Sequence, residues 1–116
     1  MWDATSKRIY AAVPGSDPVH GNSIVGIDPT TGKIVSAQSV MSDPQTLAVS
    51  GDGQYLYVGL TGSGSFERLL LPALTPDVTR GLGWSPLAGG ALFPLDLEIA
   101  PGFPHTVAVA SGKVDP

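Results

Sequence analysis

The chain has no cysteine, which removes disulfide frameworks, thiolate nucleophiles and Cys-ligated zinc from consideration. Six Lys and Arg stand against ten Asp and Glu, a formal net charge of −4 with no basic cluster. Nucleic acid and anionic membrane surfaces are therefore not expected partners. No apolar run approaches the roughly 20 residues of a membrane-spanning helix. The opening MWDATSKRIY lacks the charged and apolar regions of a secretory signal. Helical stripes are missing too: the nearest, Glu67–Leu71, is cut by Pro72. Charged residues are only 14% of the chain, as expected of sheets buried on both faces.

What the chain does have is an internal repeat. KRIYAAVPGS (Lys7–Ser16) matches QYLYVGLTGS (Gln54–Ser63) at an offset of 47, with Tyr10 on Tyr57. TLAVSGDGQYLYVGL (Thr46–Leu60) matches DLEIAPGFPHTVAVA (Asp96–Ala110) without a gap at an offset of 50. SIVGID (Ser23–Asp28) falls on SFERLL (Ser65–Leu70) at an offset of 42. Self-similarity of this period marks a repeat architecture.

Apolar residues alternate with period two, or run in short blocks bounded by Gly, Pro, Asp and Ser, which is the strand pattern. Strands are expected at Ile9–Val13, Ser23–Asp28, Lys33–Gln38, Thr46–Ser50, Tyr55–Leu60, Phe66–Leu71, Asp96–Ile99 and Thr106–Ala110. A weaker ninth is placed at Asp77–Leu82 by the repeat. Ser50-Gly51-Asp52-Gly53 and Ala100-Pro101-Gly102-Phe103 supply the tight turns. Asp28–Lys33 supplies another, with Pro29 pre-setting φ. Four strands per unit is the blade of a β-propeller. The expected fold is thus all-β, a partial propeller of about two and a half four-stranded blades whose ring is not closed. Residues 1–43 hold the last three strands of one blade, 44–93 a full blade, and 94–116 the first two strands of a third. Gly81–Phe93 is expected to be an inter-blade loop. The chain would begin and end in mid-blade.

The runs NSIVGIDPTTGKIVSAQSV and DPQTLAVSGDGQYLYVGL resemble the YVTN-type β-propeller repeats of bacterial extracellular and surface proteins. DLEIAPGFPHTVAVA resembles a variant of the same repeat. Gly59-Leu60 follow Tyr57-Val58 where the name-giving motif has Thr-Asn. The resemblance implies an extracellular, periplasmic or cell-surface location. Propellers of this kind host binding modules and enzymes alike, including similar lactonase-like and quinoprotein-like ones.

Motifs that invite chemistry dissolve into turns. In GIDPTTGKI five residues separate Gly26 from Gly32 where a phosphate loop has four, and Ile34 stands where Ser or Thr is needed. Gly62-Ser63-Gly64 lacks a third glycine. The repeat register puts Trp2-Asp3 in a turn, unlike a WD dipeptide. His20 and His105 lack metal-ligand spacing and are expected as exposed turn residues.

Four residues remain as ligand or cation candidates. Asp96 and Glu98, two apart on a strand, share a face and replace Thr46 and Ala48. On the first strand of a blade they would line the channel, able to hold a cation or to shift each other's pKa. Arg68 replaces Gly26 and is expected in a rim salt bridge to another blade. Trp84 is a sugar or peptide contact, or a plug between blades. No catalytic residue, metal or cofactor is assigned. The expected function is a non-catalytic repeat module for binding or scaffolding, part of a longer bacterial extracellular or cell-envelope protein. Its partners would be the remaining blades or other copies, and a protein or carbohydrate ligand. The alternative is part of a propeller enzyme, a metal-dependent lactonase-like hydrolase or a quinoprotein-like dehydrogenase.

Overall fold

In the computed structural model, residues 1–87 and 89–113 are described. Ala88 of the expected loop and residues 114–116 of the expected third unit lie outside them. The described residues form strands without helix: β1 (Trp2–Asp3), β2 (Arg8–Val13), β3 (Ser23–Ile27), β4 (Ile34–Ser39), β5 (Pro44–Val49), β6 (Tyr55–Leu60), β7 (Ser65–Leu70), β8 (Thr75–Gly81), β9 (Trp84–Ser85), β10 (Gly90–Ile99) and β11 (Val107–Lys113). They make three antiparallel sheets, ordered β1-β2-β3-β4, β5-β6-β7-β8 and β11-β10-β9.

The continuous apolar run of β6, YLYVGL, follows from burial on both faces of the second sheet. Leu56, Val58 and Leu60 join Leu69 and Leu74 against Tyr10 and Ile24 of the first sheet. Tyr57 and Ala48 meet Leu97 of the third sheet, flanked by Tyr55, Phe66, Ile99, Val107 and Val109. Side chains alternate along a strand, so a single six-residue segment glues all three sheets together. The far strands β4 and β8 are mostly exposed. Pro76 is tolerated in β8 because that strand is an edge with no ladder to serve on its outer side.

The repeat extends to backbone irregularities. The β5–β6 register shifts between Pro44 and Thr46, and the β10–β11 register shifts between Pro94 and Asp96. Likewise β3–β4 shifts between Gly26 and Ile27, and β7–β8 between Arg68 and Leu69. Each pair of bulges falls on matching positions of the repeat. Pro94 seats against Gly59, where any Cβ would collide with Thr46 Oγ1.

Four expectations change. The gapless match of Thr46–Leu60 to Asp96–Ala110 fails at the turn: Leu47 pairs with Val58, but Leu97 pairs with Val109, not Ala108. One extra residue in the Ala100–Thr106 turn moves Val107 and Val109 onto the packed face, because a one-residue slip exchanges faces. The segment Gly81–Phe93 is not a loop throughout. Gly83 and Gly89, at φ 78° and 74°, take the left-handed positions that let β9 fold back on the start of β10. Trp2-Asp3 is a short strand, with Trp2 opposite Ile9, instead of a turn. The ninth strand starts earlier than expected, at Thr75.

Candidate functional site

The densest polar cluster lies where the second sheet meets the turn of the third. Arg68 sits on the β7 face that looks toward the third sheet, paired with Tyr57 on β6 and Val78 on β8. The β7–β8 bulge leaves Asp77 out of register between Pro76 and Val78, and such a bulge re-aims a side chain. Asp77 Oδ2 accepts from Arg68 Nε at 2.6 Å. In place of the expected salt bridge to another blade, Arg68 is paired within its own sheet, because the bulge aims Asp77 at it. The guanidinium lies 5.0 Å from the Tyr55 ring centre and 6.0 Å from that of Tyr57, within cation–π range.

Arg68 Nη1 also donates to His105 Nδ1 at 3.0 Å and to the Tyr57 hydroxyl at 3.5 Å. Guanidinium has donors only, so Nδ1 is the accepting nitrogen and His105 carries its proton on Nε2. That proton faces the Tyr55 hydroxyl at 3.2 Å, and the two rings meet edge to face at 4.8 Å. Tyr57 donates its own hydroxyl to the carbonyl of Pro104 at 2.7 Å. The Tyr57 hydroxyl, first among the causes, and Asp77 hold the guanidinium protonated more firmly than usual.

Beside this cluster a cleft of about 420 Å3 opens between the two matching turns, lined by Gly51, Asp52, Ala100, Gly102 and Pro104. A Cβ at Gly51 or Gly102 would meet nothing within 4 Å, so both turns open onto free space there. Asp52 Oδ1 accepts from the Ser50 hydroxyl at 2.6 Å and the Gln54 amide at 3.1 Å. These bonds, the Ser50 hydroxyl foremost, hold the carboxyl below its ordinary range. The cleft thus presents a fixed anion on one wall and apolar Ala100 and Pro104 on the other.

The other candidates stand apart from this cluster. Asp96 and Glu98 do share a face, opposite Ala110 and Ala108. Both are exposed, with Leu97 buried between them, and Asp96 Oδ1 accepts from the Leu97 amide at 2.9 Å. No group of three or more His, Cys, Asp or Glu able to hold a metal occurs among the described residues. Trp84 is 63% exposed on β9 and plugs no gap between sheets. His20 lies in the turn whose Val19 and His20 amides donate to Asp17 Oδ1.

Glu67, the neighbour of Arg68, points to the opposite face and is only 8% exposed. Burial raises its pKa above the ordinary value, and no hydrogen bond or ion pair satisfies it among the described residues. Tyr55, Tyr57, Asp77 and His105 escaped sequence reasoning as site residues. One signal was available, since Arg68 and Asp77 replace Gly26 and Val35 of the earlier copy at the same offset of 42.

Neither a protein-family model nor a curated protein sequence matches the chain. Among solved structures it is similar to hydrazine synthase of Kuenenia stuttgartiensis, with a TM-score of 0.64 and 26% sequence identity. The match covers 78% of this chain and 23% of that one.

Proposed function

We propose that the chain is a segment of a β-propeller, a YVTN-like repeat module that binds or scaffolds without catalysis, in a bacterial extracellular or cell-envelope protein. One observation carries the reading. Both kinds of β-bulge recur at matching positions of successive sheets, and bulges are positioned features and not accidents of sequence. Sheets built to one template and stacked face to face are what a propeller repeats around its axis. The cleft beside Asp52 and the exposed Trp84 supply surfaces for a protein or carbohydrate ligand.

A second reading, part of an enzyme, is favoured by the likeness to hydrazine synthase. Metal analysis and a lactone hydrolysis assay separate the two. We expect neither stoichiometric metal nor turnover; one bound metal per chain with turnover would replace the binding reading by the enzyme one. Light scattering tests assembly with other copies, which a single species of 11.9 kDa would rule out.

A further inference from the structure

Resting on the binding-module reading, we propose that the cleft between the turns at 50–53 and 100–104 receives a lysine side chain of a protein ligand. The joint that forms it occurs twice in the chain, closed once and open once. Trp2 pairs with Ile9 as Val49 pairs with Leu56, so Thr5 in the turn of the first sheet is the counterpart of Asp52. Thr5 sits on Gly53 of the next turn so closely that any Cβ there would collide with it. Gly53 donates its amide to the Ser50 carbonyl as Phe103 donates to the Ala100 carbonyl, both at 2.9 Å. Phe103 is therefore the counterpart of Gly53. At the second joint Asp52 and Phe103 stand in those two places, and a cleft of about 420 Å3 lies between the turns. The strands that each turn joins, β5 with β6 and β10 with β11, are all present.

The cleft holds a carboxylate without a cation. Asp52 Oδ1 accepts from the Ser50 hydroxyl and the Gln54 amide, and Oδ2 accepts no hydrogen bond among the described residues. Those same bonds keep the carboxyl charged at neutral pH. His105 spends Nδ1 on Arg68 and Nε2 on Tyr55. The one salt bridge among the described residues is Arg68 with Asp77, so no Lys or Arg neutralises Asp52.

The chemistry of the walls selects the cation. A metal ion would need further oxygen or nitrogen side chains, and Asp52 is the only such group among the lining residues. A guanidinium binds best to two carboxylate oxygens side by side, but two donors already occupy Oδ1. An ammonium needs only the open Oδ2. Ala100 and Pro104 supply apolar wall for the methylene stem of a lysine. The hydroxyls of an amino sugar would lie unpartnered against the same wall. Phe103, 66% exposed between Gly102 and Pro104, adds an aromatic face that attracts a cation.

The probe is the peptide acetyl-Ala-Lys-Ala-amide, titrated into the 15N-labelled chain while backbone amide shifts are followed. We expect shifts confined to 50–54 and 100–105, and about fivefold weaker binding to the Asp52→Asn protein. Asparagine keeps an Oδ1 acceptor for Ser50 and Gln54 and replaces only the open oxygen. The same peptide acetylated on its lysine Nζ should bind about fivefold more weakly to the native chain and alike to both proteins, and the native-chain arm serves should the variant misfold. Equal binding of the charged and acetylated peptides to the native chain would overturn the recognition of an ammonium. Tighter binding of the arginine peptide, or of glucosamine, would overturn the choice of lysine. Absence of shifts in the two turns up to tens of millimolar peptide would overturn the site itself. Each of these failures leaves the module reading untouched, since metal content and turnover decide that separately.

Discussion

The hydroxyl of Tyr57 donates to the carbonyl of Pro104 at 2.7 Å, so a residue at the centre of the second sheet holds the turn of the third. The turn contains the one residue inserted relative to the earlier copy. Tyr57→Phe keeps the ring and removes the donor. It should cost about 1 kcal/mol in chemical denaturation. Amide exchange should speed up in Ala100–Thr106 while β2 and β3 are unchanged. Uniform acceleration across the chain would contradict a local tie.

Arg68 and Asp77 should couple weakly but measurably. Their side chains are 16% and 28% exposed, so solvent screens much of the attraction. A double-mutant cycle with Arg68→Met and Asp77→Asn should give about 0.5–1 kcal/mol, shrinking at high salt. Arg68→Met alone should cost more than Asp77→Asn alone, because it also strips Nη1 from His105 and Tyr57. Equal single costs would show that those contacts contribute nothing.

Glu67 sets a pH dependence of definite sign. Burial raises its folded-state pKa above 4.5, so the folded chain holds the proton more tightly than the unfolded chain. Its contribution is most favourable below that value and is lost as pH rises through the raised pKa. Glu67→Gln should remove this fall and leave the variant about 1 kcal/mol more stable at neutral pH. Parallel stability–pH curves for the two proteins would refute the assignment.

Gly59 should tolerate no side chain unless Thr46 changes with it. A Cβ there collides with Thr46 Oγ1 and comes within 3.2 Å of Pro94 Cγ. Thr46 Oγ1 is itself buried without a partner. Gly59→Ala should cost roughly 1–3 kcal/mol, and Thr46→Ala should be close to neutral alone. Combined, they should recover much of the loss; strict additivity of the two in thermal melts would place the strain elsewhere.

Much of the strand layout was legible in the sequence. Tyr55–Leu60 is bounded as expected, since its apolar run ends at turns rich in glycine. The segment Gly81–Phe93 was not legible as strand. Its pairing rests on Trp84 opposite Ala91, and neither alternation nor the repeat marks a two-residue bridge. The turn insertion was half legible. Val107 and Val109 are larger than Thr106 and Ala108, and period-two reasoning applied to those four residues favours the valines for the core. The polar cluster was hardest to see. A bulge within one sheet brings Asp77 to Arg68, and only sheet stacking brings His105, 37 residues away, to join them.

The sequence by itself determined an all-β chain and the repeat that tells one strand from the next. Strand alternation and turn chemistry are local, so six residues and a glycine suffice to write them. Tertiary structure alone decided which faces meet and which charges pair. That choice turns on bulges and on a single extra residue at Ala100–Thr106, since each shift of one residue sends every following side chain to the opposite face of its sheet. Asp77 reaches Arg68 through one such bulge, and His105 meets it from the turn that carries the extra residue.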